Sequence, residues 1–199
     1  HLGAGLLVNG LPHHGTGGFA GQIGHVCLDV EGPACWCGAR GCAEILAGPE
    51  AVVDAARADT VLARTTGIDG EHPSVAAEFA AVVRAARRGD TGATALLENS
   101  AEHLAVAVRV MANIVDPDLL VLTGPGLATA GPFYLPAIQQ ELDRAFFARA
   151  EHPVRVRLST FASTAPAVGA ATMVLQAELV PMYPGQRLPE GIEQETTKA

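Results

Sequence analysis

The stretch Leu119-Leu120-Val121-Leu122-Thr123-Gly124-Pro125-Gly126 sets the fold class. Four consecutive aliphatic residues make a run of strand length, and a run without alternation is the pattern of a parallel-sheet strand buried on both faces. A Gly-containing turn closes it. Upstream, Asp116-Pro117 ends a helix in which Leu97, Ala101, Leu104, Val108, Met111 and Val115 recur at steps of three and four, with Gly89-Asp90-Thr91 offering an N-cap. Downstream, a helix is predicted over roughly Pro132 to Ala150. Val154, Val156 and Leu158 then alternate with Arg155 and Arg157 as a half-exposed strand, and Gly169 to Leu179 reads as a last helix. Helices alternating with strands predict an α/β architecture.

Toward the N-terminus, Pro73 to Arg88 predicts a helix with Pro73 in its first turn and Val75, Phe79, Val82, Val83 and Ala86 on its apolar stripe. Helical period also begins at Pro49, with Ala51, Val52, Ala55, Ala56, Val61 and Leu62 on one face. Leu6-Leu7-Val8 before Asn9-Gly10 reads as a strand entering a type I′ hairpin, because both turn residues tolerate positive φ. His13 to Gly24 is a Gly-rich loop in which the paired His13-His14 reads as solvated. Residues 1–181 are expected to form one lobe, and the Pro-, Gly- and charge-rich residues 182–199 a flexible tail.

Hydrophobic residues make up 49% of the 199 and charged residues 17%, which excludes a disordered chain and a coiled coil. A net charge of -8 repels phosphate backbones, so nucleic-acid binding by this chain alone is not expected. The longest uncharged stretch, Leu158 to Ala177, carries six Ser, Thr and Pro residues and is too polar for a bilayer span. HLGAGLLVNG at the start lacks the flank and cleavage site of a secretory signal, so a cytoplasmic protein is expected. Opening on a Gly-broken strand pattern without Met, the chain reads as a fragment.

Three of the four cysteines crowd into Cys35-Trp36-Cys37-Gly38-Ala39-Arg40-Gly41-Cys42, and His25 lies ten residues before the first. Three thiolates and one imidazole fill the tetrahedral shell of Zn²⁺, and glycines at 38 and 41 let a short loop wrap back onto a metal. The competing reading is a disulfide between Cys35 or Cys37 and Cys42, which a reducing compartment disfavours. A closed Cys₃His shell leaves no position for water and so implies a structural ion. Cys27, in an apolar-alternating stretch, reads as a free buried thiol. Trp36 is expected to pack over the metal or at a subunit contact.

These residues resemble the ROK family, named for repressor, open reading frame and kinase. The likeness is carried by Gly3-Ala4-Gly5-Leu6, Gly21-Gln22-Ile23-Gly24-His25, Cys35-x-Cys37-Gly38-x-x-Gly41-Cys42-x-Glu44, Ile114-Val115-Asp116-Pro117-Asp118 and Gly169-Ala170-Ala171, and it extends from residue 1 to about 180. It implies an ATPase fold of the actin and hexokinase kind, ribonuclease H-like, of which this chain is mainly the second lobe with a zinc-binding loop over residues 25–44. It also implies His25, Cys35, Cys37 and Cys42 as zinc ligands, and Gln22, His25 and Glu44 beside the hydroxyls of a sugar. Gly3, Gly5, Gly124 and Gly126 would face a nucleotide. Gln22 stands where the family usually has Glu, and Pro125 where it has Gly in the nucleotide-facing turn, so that nucleotide site is expected to be degenerate.

The catalytic Asp and the first phosphate loop of family kinases would precede residue 1, so the chain is not expected to be a complete enzyme. The branch it most resembles is the NagC/XylR-type transcriptional regulators. The expected function is the sugar-sensing effector region of such a regulator, binding a sugar or sugar phosphate, reaching DNA only through a preceding helix-turn-helix and assembling as a homodimer or tetramer. The alternative is the C-terminal part of a zinc-containing sugar kinase using ATP on a hexose or N-acetylhexosamine, and the third is a ligand-free structural or dimerisation lobe.

Overall fold

The computed structural model describes residues 1–68, 74–161 and 163–179. They fall into two units, His1–Ser163 and Thr164–Ala199. The first begins with β1 (Leu6–Val8) and β2 (Leu11–His13), paired antiparallel through Asn9 (φ 53°) and Gly10 (φ 79°), as the Asn-Gly turn predicts. Helices follow: α1 (Ala43–Ala47), α2 (Pro49–Ala58), α3 (Thr60–Thr66), α4 (Val75–Arg87) and α5 (Thr91–Val115). Strand β3 (Leu119–Leu122), helix α6 (Pro125–Ala145) and strand β4 (Arg155–Leu158) complete the unit. The second unit holds α7 (Ala165–Leu179), which starts four residues before the predicted Gly169. Residues 182–199 and Pro73 lie outside the described residues. Among the described residues no helix is long and apolar enough to cross a membrane.

The long helix α5 organises the core. Asp90 caps it, its carboxylate accepting from the Ala93 amide, and that bond holds the Asp90 carboxyl below the usual range. Its stripe of Leu97, Ala101, Leu104, Ala105 and Val108 is buried, and the small residues let α1, α2, α4 and α6 approach closely. The register of the parallel β3–β4 pair puts Leu120 beside Val156 on the buried face.

Three expectations are corrected. The helical run after Pro49 is two helices, because the Asp59 carboxylate accepts from the amides of Val61 and Leu62 and starts a new one; Val61 is consequently 70% exposed. Helix α6 begins at Pro125 instead of Pro132 and ends at Ala145. Pro132 and Pro136 sit inside it on the exposed face, where water can take the carbonyl bonds they forfeit, while Ala130, Tyr134 and Ile138 pack inward. Strand β3 is buried on one face only: Leu119 is 44% and Val121 49% exposed, because Arg155 and Arg157 are their register partners on an open face.

One polar link pins α1 to this core. Buried Ser100 donates to the Ala47 carbonyl at 2.8 Å and lies 2.6 Å from the Tyr134 hydroxyl. Ser100→Ala, which strands a buried phenol, should cost about 1–3 kcal/mol, whereas Tyr134→Phe, which leaves Ser100 its carbonyl, should cost only about 1 kcal/mol. Urea midpoints of the two variants test that order.

Candidate metal and ligand site

The candidate site is built by a loop folded back on itself. His25 closes a single 3-10 turn, Ile23–His25, and the chain then runs antiparallel to the segment entering α1. Ala43 donates to the Val26 carbonyl at 2.9 Å, Leu28 to the Gly41 carbonyl at 2.8 Å, and the backbones of Cys27 and Cys42 pair as an isolated antiparallel β-bridge. On the other arm, Cys35 donates to the Ala39 carbonyl at 2.8 Å and Gly38 to the Cys35 carbonyl at 3.0 Å, a turn that needs Gly38 at φ 95°. Backbone pairing therefore delivers residues 25, 35, 37 and 42 to one point.

There His25, Cys35, Cys37 and Cys42 hold their donor atoms within 4.8 Å of one another, a set that could hold a metal ion. Cys37 Sγ lies 3.7 Å from Cys42 Sγ, and Cys35 Sγ lies 3.7 Å from His25 Nδ1. A tetrahedron with zinc–sulfur bonds of about 2.3 Å and a zinc–nitrogen bond of about 2.0–2.1 Å has edges of about 3.8 and 3.6 Å. Those two edges fit that figure; all four cysteines are free thiols, and the Cys37 and Cys42 sulfurs are too far apart for a disulfide bond of about 2.05 Å.

The thiols differ in electrostatics. Burial pushes Cys42 up to about 12, reinforced by its Cys37 and Cys35 neighbours, whereas the Ala39 amide on the Cys37 sulfur lowers that thiol. At neutral pH, well below 12, the Cys42 thiol carries a proton that a metal must displace. Apparent metal affinity should therefore rise with pH, roughly tenfold per unit for each proton displaced, and the metal should be released on acidification. Competition with a chromophoric chelator between pH 6 and 8 measures the slope; a flat profile would contradict thiolate ligation.

Cys27 corrects the sequence reading, since it is exposed. Alternation along this extended segment turns Val26 and Leu28 toward the core and Cys27 outward. Trp36 is 69% exposed and touches the His25 ring edge-on, with centroids 4.7 Å apart at 87°.

Glu44 stands two residues past Cys42, in the first turn of α1, where a carboxylate complements the helix dipole. It is 4% exposed and accepts from the Leu2 amide at 2.6 Å; the His1 ring lies 3.3 Å from its other oxygen. Sequence reasoning missed what leaves room for it: a Cβ on Gly24 would lie 2.7 Å from Glu44 Oε2. A signal existed in the Gly-Gln-Ile-Gly-His spacing, but only the fold shows which atom the glycine avoids. Gln22, by contrast, is exposed.

The Gly3–Gly5 segment is tied to the Gly-rich loop, with Ala4 donating to Gly21 at 2.8 Å. Gly124 (φ 104°) is the N-cap residue of α6, which Pro125 and Gly126 open. No hydrogen bond among the described residues joins these two glycine segments.

Fold and site together define an α/β lobe with a four-donor Cys/His loop next to a buried carboxylate. The chain belongs to the ROK family, whose family model matches residues 2–177. It is 29% identical over 181 residues to a glucokinase of Halalkalibacterium halodurans, covering 89% of this chain and 54% of that one. It is 23% identical over 175 residues to the xylose repressor of Bacillus spizizenii, covering 88% and 42%. Among solved structures it superposes on a ROK family glucokinase of Streptomyces griseus, determined with glucose and AMPPNP, with a TM-score of 0.70 and 26% identity over 86% of this chain and 56% of that one. The chain thus spans about half the length of the curated relatives it matches.

Proposed function

We propose that this chain is the sugar-binding region of a ROK-family transcriptional regulator, with Glu44 as the principal hydroxyl acceptor, His25 and Gln22 beside it, and a structural Zn²⁺ held by His25, Cys35, Cys37 and Cys42. The observation that carries the reading is the buried Glu44 carboxylate two residues from a metal-ready thiol. A buried carboxylate accepts strongly from hydroxyls, and the metal supplies the rigidity that keeps it in place. The ion would supply loop architecture only, its four positions being taken by protein donors.

Regulation is favoured over catalysis by two features. Gln22 offers an amide where family members usually offer a carboxylate. Pro125 removes one amide from the first turn of α6, so a phosphate at the Gly124-Pro125-Gly126 turn finds a donor fewer. The second reading, a sugar kinase, is supported by the 29% identity to a glucokinase over 181 residues. Oligomerisation and a DNA-binding segment in the longer protein belong to the first reading.

The test is a titration of the full-length protein with hexoses, pentoses and N-acetylhexosamines. Wild type should bind one class, and Glu44→Gln, which loses charge assistance but keeps shape, should weaken it by roughly 10- to 100-fold. Ligand-dependent change in operator binding supports the regulator; ATP-dependent phosphorylation of the sugar supports the kinase. Undiminished binding by Glu44→Gln would show that the site lies elsewhere.

A further inference from the structure

We propose that Trp36 is the apolar wall of the Glu44 site, so that the ligand is a ring-shaped polyol that gives its hydroxyls to the carboxylate and lays a C–H face on the indole. The inference rests on the reading of Glu44 as a hydroxyl acceptor and adds to it the side that the polar residues leave undefined.

Trp36 is the only tryptophan of the chain and remains 69% exposed although it is among the largest apolar side chains present. A single exposed aromatic is ordinary on a protein surface. This one differs in how it is held. Its backbone neighbours are Cys35 and Cys37, whose sulfurs belong to the four-donor cluster, and its ring rests against a third member, His25, at 4.7 Å and 87°. The residue is therefore anchored at both ends of its own segment and along one ring contact, while the rest of the indole faces solvent. A pre-positioned aromatic loses little side-chain entropy when something stacks on it.

The second observation is what lies between the indole and the carboxylate. The imidazole of His1 has its Nδ1 3.3 Å from Glu44 Oε1 and its centroid 5.9 Å from that of Trp36, tilted by 60°. The His1 side chain is 74% exposed, so it is not locked in place by packing. A small polar ring thus already bonds the carboxylate and lies against the indole at the same time, which shows the separation that a ligand must span. A pyranose or furanose ring fits that description. Its hydroxyls replace the imidazole on Oε1, and a face carrying only C–H bonds meets the aromatic surface, where burial of apolar area is favourable. Rings whose hydroxyls project from that face are discriminated against, because a desolvated hydroxyl over the indole has no partner. Trp36 is on this account a specificity-determining residue.

The test uses the full-length protein with its metal, the variants Trp36→Ala, Trp36→Phe and Glu44→Gln, and the same sugar panel. Wild-type minus Trp36→Phe difference fluorescence isolates the indole and should change on adding the sugar that binds. Trp36→Ala should raise Kd about tenfold or more and compress the preference among epimers, with metal content unchanged, and Trp36→Phe should recover most of both. Unchanged affinity in Trp36→Ala while Glu44→Gln fails to bind overturns the wall and leaves the carboxylate reading intact. Metal lost together with affinity in Trp36→Ala also overturns it, since Trp36 would then act through the loop. If wild type binds no sugar at all, the reading of Glu44 itself fails and this inference falls with it.

Discussion

Cys42→Ser should release the metal and unravel the segment from His25 to Glu44. Cys42 is fully buried, is the N-cap residue of α1, and sits 3.7 Å from Cys37. Serine keeps the volume close but removes the thiolate, and a three-donor site binds zinc far more weakly than a closed four-donor one. Because metal binding and loop folding are one equilibrium, a fraction of the about 10–16 kcal/mol that structural zinc supplies in small domains is lost, roughly 3 kcal/mol or more here. Metal analysis should fall from near one equivalent to near none, and amide exchange across residues 25–44 should accelerate. Cys27→Ser is the control: Cys27 is exposed and stands outside the four-donor set, so its metal content should match wild type. A Cys42→Ser protein that keeps a full equivalent would remove the metal assignment.

The two loop glycines should respond very differently to alanine. At Gly41 (φ 59°) a Cβ would fall 1.7 Å from the Asp29 carbonyl oxygen, an overlap with backbone that no rotamer relieves. At Gly38 (φ 95°) a Cβ meets nothing within 4 Å, so the penalty is only that of a positive φ. Gly38→Ala should cost about 1–2 kcal/mol. Gly41→Ala should cost roughly 3 kcal/mol or more and weaken metal retention, because the antiparallel pairing of 26–28 with 41–43 must open. Denaturant midpoints together with metal content measure both; equal losses at the two positions would refute the close-approach account.

Local chemistry was legible in the sequence wherever one residue or one period decided the outcome. Asn9-Gly10 specified its hairpin, Asp90 its cap, the three–four spacing from Leu97 its helix, and the four aliphatics from Leu119 their strand. The cysteine spacing with His25 likewise brought out the four-donor cluster. What escaped depended on packing between distant segments. Pro132 reads locally as a helix start, yet the inward face of Ala130, Tyr134 and Ile138 carries the helix through it. Cys27 looks buried by pattern, and its outward turn becomes visible only when Cys42 is seen across the bridge. The same holds for Glu44, whose burial beneath the Leu2 amide joins residues 42 positions apart.

Buried Glu141 follows the same rule. Burial alone raises its carboxyl, and the guanidiniums of Arg144 and Arg109, the latter at 2.6 Å from α5, more than reverse that and hold it low. Arg144 is an i,i+3 neighbour on α6 that spacing can announce, but Arg109 lies 32 positions away on α5, so no local pattern announces the contact that ties α5 to α6.

The short distance in sequence from Cys42 to Glu44 carries a thermodynamic consequence. The two residues share the first turn of a five-residue helix whose far end is held by Ser100, so neither can shift without the other. On the proposed reading, binding at the metal loop and at the carboxylate would draw on the same conformational free energy, with a coupling equal in both directions. Whatever factor loss of the proposed metal costs in ligand affinity, saturating ligand must add to metal affinity over its ligand-free value.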